Sequence, residues 1–465
     1  MTITTRRGLL QATAAAGVVA MVPRLALGQA TSDVLELAAE RTTLPLYPGV
    51  PSELWTYNGV APGPEIRVRK GERVKVRLTN RLDEPTSIHW HGIRIDNAMD
   101  GVPDLTQAPV PPGGTFDYDF VAPDAGTFWY HAHTRSWDQV ARGLYGPLIV
   151  EEDEPVFDRE HDLTLVFDDW RLDGSDALDT ASLGSLAEWA HGGRLGNWLT
   201  VNGTSVPEYT LRAGEAYRLR LVNAANARIM AFDPDSFGGL VLAYDGQAVP
   251  EPARLGYAPL LLGPAQRVDL LVRPGRGGSF SIAEVSGGAG VEAVRFVVEG
   301  DATASQDLVR LVPNAIPEPD LEKARQVRLD MRGGAMADIG DAVHKGEPLV
   351  GEAFRRTRQV WAFNGVANLA EEPLFSAAGG ESIVVEVHNA TVFPHAMHVH
   401  GHHFRVVERS GSTVDEGAPW RDTFLIGPRQ TTKIAFVADN PGKWLLHCHM
   451  LEHAAAGMTT WFEVV

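Results

Sequence analysis

Three ten-residue stretches carry the reading of the fold: GERVKVRLTN at 71–80, GEAYRLRLVN at 214–223 and GESIVVEVHN at 380–389. Each opens on Gly-Glu and closes on an Asn nine residues after the Gly, and between those ends apolar positions largely alternate with polar ones. A period of two is the mark of a half-buried β-strand, whose successive side chains point to opposite faces. An Asn-Gly pair precedes every copy, at Asn58-Gly59, Asn202-Gly203 and Asn364-Gly365. Downstream, Phe120, Gly126 and His131 keep the spacing of Phe436, Gly442 and His447. In the middle copy Pro264–Leu271 parallels Pro428–Ala435, and the place of that histidine falls on Ala283. A repeat this long is a whole domain. The chain is therefore expected to be all-β, built of three β-sandwich domains spanning 31–152, 158–300 and 318–465, with Pro-rich joints near Pro155 and from Pro313 to Pro319.

Composition narrows the function classes. With 465 residues, 44% hydrophobic and 22% charged, the chain is ordinary globular protein, which argues against disorder, collagen, coiled coil and a multi-span membrane protein. A net charge of -18 repels phosphate backbones, so nucleic acid is not expected as a partner. Residues 1–30 hold Arg6-Arg7, an Ala-rich apolar run from Gly8 to Met21 and no acid, which reads as a signal peptide. The paired arginines resemble a twin-arginine signal, implying the twin-arginine export machinery and a periplasmic destination. No other stretch approaches ~18 apolar residues, so no stable membrane insertion is expected. The single cysteine, Cys448, has no thiol to pair with. A reactive thiol, an intermolecular crosslink, a buried spectator or a metal ligand remain open for it.

Ten of the 16 histidines fall in four short clusters: His89-Trp90-His91, His131-Ala132-His133, His395 with His398 and His400, and His447-Cys448-His449 with His453. On an extended strand, residues two apart share a face about 6 to 7 Å apart, so each His-x-His offers two imidazoles side by side. One such pair is a weak signal. Four in register across the first and third repeats predict eight imidazoles converging where those domains meet, too many for one metal and a fitting number for three. At that place the middle repeat has Phe232. Cys448 faces away from its flanking histidines, so it belongs to a different metal. A His₂Cys set with a distant axial Met, drawn from His395, Cys448, His453 and Met458, is that of a blue-copper electron-transfer centre.

His-Trp-His-Gly from His89, Trp-Tyr-His-Ala-His from Trp129, His-x-x-His-x-His-Gly from His395 and His-Cys-His-x-x-x-His-x-x-x-x-Met from His447 together resemble the copper signatures of the three-domain multicopper oxidases. The resemblance spans the chain beyond its leader. It implies cupredoxin-like Greek-key sandwiches and four copper ions. His89 and His398 would bind a type 2 copper. His91, His131 and His449 would bind one type 3 copper, and His133, His400 and His447 the other. His395, Cys448, His453 and Met458 would bind the type 1 copper. Electrons would enter at the type 1 copper and pass through Cys448 to His447 and His449. Asp100, in Asp-Gly-Val-Pro, is the candidate acid for the protons that oxygen reduction consumes. A departure is Ala454, where bacterial relatives often carry a glutamate after the last motif's histidine, and the neighbouring Glu452 is no assured replacement.

The resemblance implies a monomeric oxidase that couples one-electron oxidation of a small phenolic or aromatic donor to reduction of O2 to water. Periplasmic cuprous-ion oxidation is the runner-up. It is weakened because the stretch from Asp330 to Val350 holds just Met331 and Met336. A copper-free scaffold is the alternative from a different class, and it would be expected to lack ligands. His161, His191, His344, His388, His402 and His403 have no comparable spacing and are expected at the surface or behind the ligands, with His402 and His403 the candidates for orienting them.

Overall fold

The computed structural model describes residues 24–26, 34–302, 308–411 and 419–465. The signal-peptide reading falls outside these, except for Arg24–Ala26, whose backbone pairs in parallel with Glu65–Arg67.

The protein is nearly all β, in three sandwiches of two sheets each. In the first, the sheet holding Leu35–Tyr47 and Arg73–Asn80 faces the sheet holding Gly126–Ala132 and Ile88–His91. In the third, the sheet holding Arg325–Gly333 and Glu381–Asn389 faces the one holding Gly442–Cys448 and His395–Val399. Separate apolar cores fill the sandwiches, around Trp90 and Leu78, around Phe232 and Leu221, and around Trp361 and Phe462.

The repeated residues do the same work three times. Asn58, Asn202 and Asn364 take φ of 56°, 52° and 48°, with positive φ at the glycine after each. That is the turn for which Asn-Gly is suited, since both central residues of a type I′ turn need positive φ. Each Asn also accepts a bond from the amide of a neighbouring strand, at Ala38, Val166 and Asp330. The closing Asn80, Asn223 and Asn389 are fully buried. Their Nδ2 groups donate to pairs of loop carbonyls: Glu84 and Val110, Arg228 and Leu262, Phe393 and Gly427.

One expectation fails in the middle copy. Tyr217–Asn223 is buried on both faces, whereas alternation predicts a wet face. Arg218 and Arg220 sit on the face turned to the first sandwich, where both close on Asp162, which also binds Arg67 at 2.9 Å. The alternating polar residues are a buried ionic seam between sandwiches. The middle sandwich lacks histidines where the others have them, and Phe232 there is a core residue.

Candidate metal centre

The four His-x-His pairs lie on strands whose register sets them opposite one another. His89 pairs with His131 across one sheet and His398 with His447 across the other. Within each pair the rings share a face as expected, with centroids 5.6 Å apart for His89 and His91, 5.9 Å for His131 and His133, 4.8 Å for His398 and His400 and 5.5 Å for His447 and His449. The rings of the two sheets stack on one another. His89 stacks on His400 at 3.9 Å and His91 on His398 at 3.7 Å.

Six of the eight rings are held from behind. His89, His131, His398 and His447 donate from Nδ1 to the carbonyls of Asp100, Ala132, Asp422 and Cys448 at 2.9 to 3.1 Å. His400 Nδ1 donates to the Asp100 carboxylate at 3.0 Å. His91 is turned the other way, its Nε2 lying 3.2 Å from both Asp422 Oδ1 and Thr423 Oγ1. Nitrogens on the inner side are left bare: His89 Nε2, His91 Nδ1 and His398 Nε2 are buried without a partner, and His449 turns its Nε2 to His131 Nε2 at 3.3 Å. His400 and His447 both have their protons on Nδ1, so their Nε2 lone pairs confront each other at 3.1 Å. Facing lone pairs repel unless a cation lies between them. Burial, and then the neighbouring imidazoles, hold His91, His131, His133, His398, His400 and His449 well below the usual histidine pKa, and His447 at about 4. Neutral imidazoles with free lone pairs are the form a metal requires. Within these rings His89, His398 and His400 offer ligand atoms within 4.8 Å of one another, as do His89, His91 and His131, and His133, His400 and His447.

A second set lies on the other face of the strand Gly442–Cys448. His395 Nδ1 and His453 Nδ1 stand 3.6 and 3.8 Å from Cys448 Sγ and 3.1 Å from each other. All three side chains are fully buried, and burial pushes the Cys448 thiol up to about 12. Met458 is buried in the same core, and its carbonyl accepts the Cys448 amide at 3.0 Å. Two imidazole nitrogens and a sulfur converging in a dry pocket fit a soft, thiolate-selecting cation.

The comparisons agree with this geometry. The multicopper oxidase family matches residues 38–155 and, through a second profile, residues 345–465. A solved multi-copper oxidase from Pseudomonas thermotolerans is 33% identical, covering 95% of this chain and 100% of that one at a TM-score of 0.81. The chain is a multicopper oxidase. Lac15 from a marine microbial metagenome is 37% identical at a TM-score of 0.73, with 93% of this chain and 100% of that one covered. Among curated proteins, the multicopper oxidase MmcO of Mycobacterium tuberculosis is 28% identical over 88% of this chain and 83% of its own length. Laccase-1 of Botryotinia fuckeliana is 29% identical over 92% and 81%. As a multicopper oxidase the protein binds copper and is an oxidoreductase that uses O2. No helix of the described residues is long and apolar enough to cross a membrane.

Sequence reading missed part of this oxidase's site. Asp422 touches His91 and lies 3.6 and 3.7 Å from His398 and His403, while Arg267 of the middle sandwich grips both its oxygens at 2.8 and 2.6 Å. Neither residue belongs to a histidine motif, so spacing gave no signal. Asp100 faces the backs of His89 and His400. His403 lies behind the ligands against Asp422, and His402 packs between Phe436 and Phe462. His161 is held at the rim of the middle sandwich by Asp158 and Glu215, remote from the clusters in its hydrogen bonding. His388 bonds Asp330, and His344 bonds the Ala367 carbonyl. Glu452 accepts from Asn226 Nδ2 at 2.8 Å, and Ala454 leaves no carboxylate directly after His453.

Proposed function

We propose that this multicopper oxidase takes electrons singly from a small phenolic or other aromatic donor and delivers four of them to each dioxygen, as the laccases it resembles are named for. One observation supports this reading above the rest: the strand Gly442–Cys448 presents Cys448 to one buried donor set, while His447 and the following His449 turn into the eight-imidazole set. We assign four coppers, with His395, Cys448, His453 and Met458 holding type 1, and His89 and His398 type 2. His91, His131 and His449 hold one type 3 copper, and His133, His400 and His447 the other.

Bound copper would supply one-electron acceptors at the first set and, at the second, the electrons and electrostatic stabilisation that dioxygen reduction needs. The chain does the rest. It holds His91, His131, His133, His398, His400, His447 and His449 neutral by burying them, and it orders six of the eight rings by backbone carbonyls and two carboxylates. The Cys448 proton must leave when metal binds, which ties loading to pH. Trp129 packs against His131 at 4.4 Å and His449 at 5.6 Å, excluding water from that flank. Cys448 links the two sets covalently, since His447 and His449 are its sequence neighbours. Asp100, bonded to two of the rings from behind, is assigned as the acid of the pocket.

Cuprous-ion oxidation is the second reading. Between Asp330 and Val350 one methionine, Met331, is fully buried and the other, Met336, is 73% exposed, so the pair does not share a site. Export by the twin-arginine route to the periplasm, and a monomeric state, belong to the same proposal. The test is copper analysis with a visible spectrum, then oxygen uptake on a phenol, cuprous ion and ferrous ion in parallel. A blue band and fastest uptake on the phenol are expected. Fastest uptake on cuprous ion would favour the second reading, and no blue band would favour a copper-free scaffold.

A further inference from the structure

The edge at which an outside donor would touch the Cys448 set is closed. His453 is fully buried, and its Nε2 donates to the carbonyl oxygen of His191 at 2.6 Å. His395 is equally buried, and its Nε2 bonds Thr391 Oγ1 at 3.0 Å. With both Nδ1 atoms turned to Cys448, neither ring keeps an edge for solvent.

The closing residue comes from the middle sandwich. His191 follows the short helix Leu186–Ala190, which is pinned to the third sandwich at several points. Trp361 Nε1 donates to the Trp189 carbonyl at 2.7 Å, and the Ala335 amide to the Ala190 carbonyl at 2.8 Å. The Arg358 guanidinium lies 5.0 Å over the Trp189 ring. Trp189 and Ala190 are buried in the same core as Cys448 and Met458. His191 itself is exposed. Its Nδ1 donates to the Ala187 carbonyl at 2.7 Å, and its ring meets that of half-buried Phe393 edge-on at 5.9 Å. Val392, next to Phe393, is 40% exposed.

We propose that donor electrons enter this oxidase through His191: an aromatic donor rests against the His191–Phe393 edge, and its electron crosses the His191 carbonyl to His453 hydrogen bond into the metal held by Cys448. The proposal rests on the type 1 assignment above. In each event a phenol loses one electron and its hydroxyl proton, the proton passes to water, and one cupric ion becomes cuprous. Ring-on-ring contact with His191 and Phe393 is of the kind aromatic pairs favour. The Leu186–Gly192 segment is thereby a filter. Flat aromatic donors that reach the edge are served, and donors with bulky groups flanking the ring are held away from it.

The direct test uses the copper-loaded wild-type protein transferred to D2O, following by electron-nuclear double resonance the exchangeable histidine proton coupled to the type 1 copper. That proton should outlast its counterpart in Trp189→Ala, where the cover is loosened, at least tenfold. His191→Ala keeps the carbonyl and removes the ring, and Phe393→Ala removes the other half of the edge. Each should raise the KM for a small phenol about fivefold or more with the blue band unshifted, and a merely structural role would move the band instead. Immediate exchange of the proton in wild type would overturn the proposal, as would unchanged phenol KM in both ring variants. If Trp189→Ala does not load copper, persistence of the wild-type proton well beyond mixing decides with the two ring variants. A wild-type protein without a blue band would remove the type 1 assignment itself, a different outcome from a blue protein whose proton exchanges at once.

Discussion

Asp422 holds His91 in the tautomer that turns Nδ1 inward, whereas Asp100 and the backbone carbonyls turn Nε2 inward elsewhere. The choice follows from which ring nitrogen finds an oxygen behind it. Gly92 makes room for this clamp. A Cβ there would meet Arg267 Nη2 at 2.4 Å and Asp422 Oδ2 at 2.5 Å. Asp422→Asn removes the charge that neutralises Arg267 and weakens the hold on His91. We expect copper affinity of the eight-histidine pocket to fall about 10- to 100-fold, read as copper retained after dialysis, with the blue band intact. The histidine clusters that the fold brings together were legible because His-x-His and Cys flanked by His are dense local patterns. Asp422 and Arg267 lie 155 residues apart and meet through tertiary packing, so a linear reading could not pair them.

At the scale of elements, the recurring Gly-Glu to Asn stretches were readable as strands because their apolar period and closing Asn repeat. Their second face was not. In Tyr217–Asn223 the polar positions are buried by a neighbouring sandwich, which a single strand's pattern does not encode. Burial alone would raise the Asp162 carboxyl, but the Arg220 and Arg218 guanidiniums reverse this and hold it well below the usual range. Because its folded pKa lies below its unfolded one, the stabilisation is fully present above about pH 4 and is lost as pH falls toward the folded value. Asp162→Asn leaves buried guanidiniums without their shared anion and should cost about 3–5 kcal/mol at pH 7 in denaturant unfolding, with the difference from wild type shrinking in acid. The turn after Asp100 is as constrained. Gly101 has φ of 83°, and a Cβ there would lie 1.8 Å from the Ile88 carbonyl oxygen. Gly101→Ala should cost about 1–3 kcal/mol and reduce copper retention, since the turn carries Asp100 off the strand bearing His89.

For the whole molecule, the histidine clusters tie the first and third sandwiches together, while the middle one contributes Arg267 to the pocket and the His191 carbonyl to the Cys448 side. Division into three sandwiches was legible from the repeat. The use of a sandwich without a His-x-His pair as clamp and cover was not, because its residues look like strand and loop in sequence. Metal that binds the folded state alone stabilises it, by about 2.7 kcal/mol for a site at 100-fold excess over Kd. Chelation should therefore lower the melting temperature, and copper should restore it, the thermal shift being the readout. The account as a whole stands on the buried donor sets being two neighbouring metal pockets. Anomalous diffraction recorded at the copper edge on crystals of the copper-loaded protein measures that directly. It should give four peaks per chain, one beside Cys448 between His395 and His453 and three among the eight imidazoles. An empty eight-histidine pocket, or copper bound away from these side chains, would contradict it.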